Sequence, residues 1–236
     1  VMLSSWMAGH RENDPQTWFP SRRVVIRGNT FERIARNGLL VRGGGAPLIE
    51  RNYFRECGRL GSGNAMFVFH CDDALIQFNE SCFTKYNPGD SDAAGFDSDY
   101  NCRRSVFQCN CSHDNDHGFM LICSQGSRAN GFNDGTIVRY SISENDGGNL
   151  IRISGTVTNA LIHNNTFYAK PGMTNPRAAG DPPRIIYHKT WGGWSDGISF
   201  FNNIIVNDCP QAVYEEGESK HNRYDHNLFF GLHPQS

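Results

Sequence analysis

The sequence has few of the features that mark a helical, nucleic-acid-binding or membrane protein. Charged residues make up only 19% of its 236 residues, the formal net charge is −2, and no block of Lys or Arg is present. A nucleic-acid binder would need a basic stripe, so we predict no nucleic-acid partner. No apolar run approaches the ~18 residues that cross a bilayer, and the opening VMLSSWMAGH lacks the order of a signal peptide. We therefore predict no membrane partner.

The eight cysteines lack the spacing of a zinc site, because no CxxC pair occurs among them. We therefore predict no metal site. The thiols are either small buried residues of a core or partners in disulfides, and both interpretations stay open. Amphipathic helix spacing is also nearly missing, whereas Gly and Asn are abundant. This composition is typical of a chain rich in strands and turns.

A repeated unit runs through the chain. In each copy a β-prone segment ends in Asn, and an aromatic or other apolar residue, a polar turn and a second apolar segment follow. Clear copies are VVIRGNTFERIARNGLLVRG, PLIERNYFRECGRLGSGNAMFVFH and SVFQCNCSHDNDHGFMLIC. Because Asn tolerates a left-handed bend and can bond the same amide one coil away, we expect a stacked ladder. Its predicted members are Asn29, Asn52, Asn79, Asn110, Ser141, Asn164, Asn202 and Asn227.

The repeat spacing favours a solenoid over other all-β folds. A β-sandwich would show tight hairpins every 8–12 residues, and a propeller would need about four strands per ~40 residues. We predict an all-β fold, a single-stranded right-handed parallel β-helix of about seven to eight coils that lacks one or both caps. It should occupy residues 24–236, with a long inserted loop near 169–195. Residues 1–23 should form an irregular lead-in or part of a preceding coil, and we expect a longer protein or a partner to cover the exposed end.

The copies VVIRGNTFERIARNGLLV and SVFQCNCSHDNDHGFMLIC resemble the repeats of the pectate-lyase-like superfamily of right-handed parallel β-helix proteins. The resemblance covers nearly the whole chain from about Val24 onward. It implies a carbohydrate-active protein that binds a polysaccharide or oligosaccharide in an extracellular or periplasmic compartment. The superfamily includes polysaccharide lyases, glycoside hydrolases, sugar epimerases and adhesins, so the fold leaves the chemistry open.

One strand of each coil should stack into a sheet whose outward side chains line a groove. The predicted rungs are GLLVRG, NAMFVFH, GFDSDY, GFMLIC, NLIRIS, RIIYHK and QAVYEE. GFDSDY differs from the others because it is acidic. With Phe96 pointing inward, Asp97 and Asp99 point outward about 7 Å apart and can act as an acid and base pair or share a cation. The alternative is that both are solvated surface residues.

The next coil carries SHDNDHGF just before its rung. Because adjacent coils stand about 4.8 Å apart, we expect its side chains to gather with Asp97 and Asp99. Asp116 and His117 are further catalytic candidates on this basis. For His113 and Asp114 we favour a structural role, since such side chains also bond turn backbone.

Candidate substrate-binding residues lie on other rungs and in the inserted loop. Trp191 and Trp194 can stack on a sugar ring or pack over the sheet. If Val213 points inward, Tyr214 and Glu216 face the groove, although a slip of one residue exchanges the two faces. The full set is Arg42, Arg152, His188, Trp191, Trp194, Tyr214 and Glu216.

Three functions remain after these observations. We favour a glycoside hydrolase that uses the Asp pair and needs no cofactor. A lyase or epimerase on uronic acid polymers is the first alternative and would need a base together with Ca²⁺ or Arg. Arg42, Arg152, His188 and Lys189 could serve it, but the compact Lys and Arg constellation of pectate lyases is missing. A non-catalytic glycan-binding or adhesin solenoid is the second alternative.

Overall fold

The computed structural model describes residues 1–4, 18–127 and 131–233, and it is a right-handed parallel β-helix of about seven turns. Three eight-stranded parallel sheets run along the solenoid, and each coil adds one short strand to each sheet. Within the described ranges there is no helix. The predicted all-β solenoid is confirmed.

Sheet 1 contains all seven predicted rungs and one additional strand at the start of the chain. That strand pairs Met2–Ser4 with Leu40–Arg42. In stacking order, the strands are Met2–Ser4, Leu39–Arg42, Met66–Phe69, Phe96–Ser98, Met120–Ser124, Asn149–Gly155, Arg184–Lys189 and Val213–Glu215.

Sheets 2 and 3 close each coil, and short strands bridge some corners between sheets 1 and 2. Sheet 2 consists of Val25–Arg27, Leu48–Glu50, Leu75–Gln77, Val106–Gln108, Ile137–Arg139, Leu161–His163, Ser199–Phe201 and Arg223–Asp225. Sheet 3 consists of Thr30–Glu32, Tyr53–Arg55, Glu80–Cys82, Cys111–His113, Ile142–Glu144, Thr166–Ala169, Ile204–Asn207 and Leu228–Gly231. The bridging strands are Ser21–Arg22 with Gly44–Gly45, and Cys102–Arg103 with Asn133–Asp134 and Val157–Thr158.

The core follows from strand alternation. In a three-residue strand only the central side chain points inward, and in sheet 2 this position holds a column of apolar residues. Ile49, Ile76 and Phe107 are consecutive members of that column and are fully buried. Each contributes about 1.5–3 kcal/mol by leaving water. Because apolar side chains of successive coils stack on one another along the solenoid axis, they form one continuous core.

The turn between sheets 2 and 3 is the Asn ladder. In most coils the ladder residue directly follows a residue with positive φ, such as Arg51 at 54°. The amide of Asn52 donates to Asn79 Oδ1 at 3.0 Å and to the carbonyl oxygen of Ile26 at 3.0 Å, and Asn79 repeats the pattern with Asn110. The ladder therefore ties consecutive coils together.

Two predicted ladder members are wrong by one residue. Asn165 and Asn203 occupy the ladder, and the amide of Asn165 donates to Asn203 Oδ1 at 3.0 Å. Asn164 and Asn202 precede them at the positive-φ position, with φ of 55° and 54°. Because each pair is an Asn-Asn doublet, both positions satisfy the sequence pattern.

Other features of the sequence also have defined places. All eight cysteines are free thiols, and most are buried. The region 169–195 is not one continuous loop, because Arg184–Lys189 lies within it as a strand of sheet 1. The last coil leaves Phe229 and Phe230 exposed. The described residues include no helix that is long and apolar enough to cross a membrane.

Candidate functional site

A pocket of about 370 Å³ opens on the outer face of sheet 1. Its floor consists of side chains from consecutive coils, and its rim comes from the loops around 91–92 and 190–191. The residues that line it are Asn64, Phe67, Ser91, Asp92, Asp97, Asp99, Leu121, Cys123, Arg152, Ser154, Lys189, Thr190 and Trp191.

The register of sheet 1 arranges the floor in two columns. Phe67, Asp97, Leu121 and Arg152 are partners across successive coils and form the first column. In the second column, Asp99 is followed by Cys123, Ser154 and Lys189. Ser98 pairs with Ile122, so the next residues, Asp99 and Cys123, lie side by side. Cys123 then pairs with Ser154, and Ser154 pairs with Lys189. Each column therefore contains one Asp and, two or three coils further on, one positively charged side chain.

Asp97 lies at the bottom of the pocket. It is only 2% exposed, and its Oδ2 accepts a hydrogen bond from Asn64 Nδ2 at 2.8 Å. Burial, together with the charges of Asp99 and Asp92, raises the pKa of the Asp97 carboxyl well above its usual range. Asp97 is therefore neutral at a higher pH than an ordinary aspartate.

Asp99 is half-buried and receives two donors on one oxygen. Its Oδ1 accepts the backbone N–H of Tyr100 at 2.7 Å and the thiol of Cys123 at 3.1 Å. Both bonds stabilise the carboxylate form. Ligand atoms of Asp97, Asp99 and Cys123 lie within 4.8 Å of one another, so this group could hold a cation. A thiol, however, is a poor ligand for Ca²⁺, which prefers oxygen.

Asp92 is a third carboxyl at the pocket, and the repeat pattern of the sequence does not predict it there. Its Oδ2 accepts the hydroxyl of Ser62 at 2.8 Å, and burial raises the pKa of the Asp92 carboxyl. Asp92 lies in a loop rather than on a strand, so no periodicity places it at the groove. The acidic stretch that leads into Asp97 was the sequence signal available for it.

His117 supports the Asp92 loop and is not part of the pocket wall. The Nδ1 of His117 lies 2.9 Å from the carbonyl oxygen of Asp92, which is an acceptor. Its Nε2 lies 2.9 Å from Asn149 Nδ2, which is a donor. These partners suit the neutral ring protonated at Nδ1. Burial and the charge of Arg152 lower the pKa of His117 to about 3, so the ring stays neutral. His117 bonds the Asp92 loop from outside the pocket lining, and its catalytic role stays a prediction.

The predicted gathering of SHDNDHGF with Asp97 and Asp99 does not occur. Asp116 and Asp114 line a separate cavity together with Lys170. His113 bonds Asp114 at 2.9 Å on sheet 3. The segment runs from sheet 3 around a corner to sheet 1, so its side chains lie on different walls.

Arg152 and Lys189 supply positive charge opposite the carboxyls. Arg152 is 5% exposed, and its Nη1 has no hydrogen-bond partner among the residues that the structure describes. Burial and neighbouring arginines lower the pKa of Lys189 to about 8. The pocket thus joins an acidic side to a basic side.

The remaining predicted substrate-binding residues divide between the pocket and other places. Trp191 lines the rim, is 37% exposed and meets Tyr100 edge-on at 6.3 Å. Trp194 instead packs against Gly217, where an added Cβ would lie 2.2 Å from its ring. Arg42 stacks on Phe69 outside the pocket, at 5.1 Å from the ring centroid.

His188, Tyr214 and Glu216 do not face the pocket. His188 is fully buried and its Nδ1 lies 2.8 Å from Ser195 Oγ, on the inner side of the coil. Tyr214 packs against the core. A register shift between Arg184 and Ile186 exchanges the faces of the last rung.

The outward acidic residue of that rung is therefore Glu215 rather than the predicted Glu216. Glu215 Oε2 accepts from Arg184 Nε at 2.6 Å.

The chain is similar to known proteins in sequence and in fold. It is 29% identical over 166 residues, 64% of this chain, to a lacto-N-biosidase of Bifidobacterium longum subsp. longum. It matches the GH136 lacto-N-biosidase of Eubacterium ramulus with a TM-score of 0.51 and 22% identity, over 73% of this chain. The periplasmic alginate epimerase AlgG matches with a TM-score of 0.55 and 12% identity, over 97% of this chain.

The chain covers only part of these proteins. It spans 10% of the Bifidobacterium enzyme, 28% of the Eubacterium chain and 55% of the AlgG chain. No family model matches it. The protein is a right-handed parallel β-helix, similar in fold to a lacto-N-biosidase and to an alginate epimerase.

Proposed function

We propose that the protein is a glycoside hydrolase that cleaves an oligosaccharide or polysaccharide in the pocket of sheet 1. The observation that carries this proposal is the set of three carboxyl groups there. Burial favours the neutral form of Asp92 and Asp97, whereas two hydrogen-bond donors stabilise the carboxylate of Asp99. A glycosidase needs such a division between a proton donor and an ionised partner.

Asp99 is the proposed nucleophile. It is half-buried and lines the pocket, whereas Asp97 is only 2% exposed, so the Asp99 carboxylate is the one that can reach a bound sugar. Asp99 attacks the anomeric carbon, and the bond from that carbon to the leaving oxygen breaks. A covalent glycosyl ester forms, and its hydrolysis retains the configuration of the sugar.

Asp92 is the proposed proton donor. Asp97 is almost completely covered and already bound to Asn64, whereas Asp92 is half-buried at the rim, where a leaving group can reach it. Asp92 gives its proton to the leaving oxygen. It then takes a proton from the water that attacks the glycosyl ester, and this step releases Asp99.

The comparisons support a hydrolase, since one lacto-N-biosidase is similar in sequence and another in fold. Trp191 and Phe67 at the pocket supply the aromatic surface that sugars stack on. The periplasmic location of AlgG supports the proposal of an extracellular or periplasmic site of action.

A uronate lyase or epimerase is the second candidate, because Arg152 and Lys189 lie in the pocket. Arg152 offers an unpartnered N–H to a substrate carboxylate, and Lys189, with its pKa lowered to about 8, is a suitable base. The fold of AlgG is consistent with this alternative.

A substrate panel tests the two candidates. The protein is incubated with oligosaccharides that carry lacto-N-biose and with alginate, while reducing ends, ultraviolet absorbance of unsaturated uronates and uronate composition are followed. Hydrolysis raises reducing ends alone, elimination also raises the absorbance, and epimerisation changes only the composition. The hydrolase proposal fails if alginate reacts and the neutral glycans do not.

A further inference from the structure

A second cluster of reactive side chains lies on the outer face of sheet 3, away from the pocket. It consists of Glu80, Cys82 and His113, and one ligand atom from each lies within 4.8 Å of the others. Sequence spacing gave no indication of it, because the three residues come from two coils and contain no CxxC motif.

The solenoid register creates the cluster. Cys82 and His113 are direct partners in adjacent parallel strands, and Glu80 precedes Cys82 by two residues, so all three share one face. The carboxylate of Glu80 lies 3.4 Å from His113 Nε2. The three ligand atoms thus form a triangle that bridges two coils.

The imidazole of His113 is held in an orientation that suits a metal. Its Nδ1 lies 2.9 Å from Asp114 Oδ2, so that Nε2 is directed to the side of Glu80 and Cys82. Metal-binding histidines almost always use their other nitrogen in this way, with a carboxylate or carbonyl as partner.

We propose that Cys82 Sγ, His113 Nε2 and the carboxylate of Glu80 bind Zn²⁺. A thiolate, an imidazole and a carboxylate are the ligands that zinc prefers, and the fourth position of a tetrahedral site would hold water. Binding forms a zinc–sulfur bond and releases the proton of the Cys82 thiol to solvent. The hydroxyl of Tyr53, 3.4 Å from Cys82 Sγ, must move aside.

The metal would join two successive coils at a wall that the pocket does not include. Its expected effect is structural, because a ligand that binds only the folded chain raises the stability of that chain. This inference does not depend on the proposed hydrolase activity.

The test uses metal-free, tag-free protein with Zn²⁺ or Co²⁺ alone as the probe. Calorimetry should show one site, Co²⁺ should give the absorption of a cobalt–thiolate bond, and Zn²⁺ should raise the melting temperature. Cys82→Ser and His113→Gln should each weaken binding by at least about tenfold and abolish or reduce the thiolate band. Asp114→Asn should weaken binding without removing the band.

Matched controls separate this site from other thiols and histidines. Cys109→Ser replaces a thiol that is more exposed than Cys82, and His163→Gln replaces an imidazole that is half-buried like that of His113; both should leave binding unchanged. Cys123→Ser tests the other group with metal-ligand spacing, at the pocket. The proposal is overturned if metal does not bind, if Cys82→Ser binds as well as the parent while folding normally by circular dichroism, or if Cys123→Ser is the variant that loses the band.

Discussion

The Asn ladder and the pocket of sheet 1 are built from the same coils, yet their polar side chains differ in how well they are paired. In the ladder, the amide of Asn110 is buried and all its contacts are complementary: it donates to the carbonyl oxygen of Ile76 and accepts from Asn79. In the pocket, Asp92, Asp97 and Asp99 crowd together and the Nη1 of Arg152 has no described partner.

This difference separates stability from function. A satisfied buried amide stabilises the fold, whereas buried carboxyls placed beside like charges cost stability. Proteins keep such an arrangement where the chemistry needs it. The same coil can do both because its corners carry the ladder and its outer face carries the site.

The sharpest test of this contrast is Asp99→Asn. It should lower the rate of hydrolysis by roughly a thousandfold or more, because the proposed nucleophile is lost. The free energy of unfolding should stay level or rise, since one of the crowded charges is removed. Rate assays and urea titrations measure the two effects. A large loss of stability together with full activity of the folded fraction would contradict the assignment.

Removal of His188 should change how stability depends on pH. Burial lowers its pKa from 6.5 to about 4, so the unfolded chain binds a proton in this range and the folded chain does not. The contribution of His188 is complete above about pH 6.5 and falls as the pH drops to about 4, by on the order of 3 kcal/mol. Urea titrations from pH 7 to 4 should therefore show a shallower loss in His188→Gln. Parallel curves for the two proteins would exclude this assignment.

Asn110→Ala should weaken the fold without harming the chemistry. The variant leaves neighbouring buried amides without partners, so we expect the free energy of unfolding to fall by about 2 kcal/mol. Asn164→Ala is the matched control at the turn position beside the ladder, where the left-handed conformation is disfavoured, at about 1 kcal/mol, and one exposed hydrogen bond with His163 Nδ1 is lost. An equal loss in both variants would show that the ladder bonds add little.

The repeat of the sequence predicted the sheets better than it predicted the site. Sheet 1 contains every predicted rung because period-two alternation and the Asn turn are local signals that each coil repeats. Phe96 is in the core, so the outward direction of Asp97 and Asp99 followed from alternation alone.

Residues on corners and loops could not be placed in this way. Asp92 reaches the pocket from a loop, and Asp116 turns away from it at a corner, so no strand period relates either residue to the groove. The bulge in the last rung is likewise a tertiary feature, and it decides that Tyr214 is inside and Glu215 outside. Sequence alternation is reliable only while the coil is regular.

Variants of Trp191 and Trp194 test where the proposed glycan substrate binds. Trp191 lies at the pocket rim, whereas Trp194 packs on Gly217. Trp191→Ala should raise KM by about tenfold with little change in stability, because an exposed stacking surface is lost. Trp194→Ala should lower the melting temperature and leave KM unchanged, since its ring fills a contact within the protein. If Trp194→Ala rather than Trp191→Ala raises KM, the glycan lies along the next coils and not over Asp99.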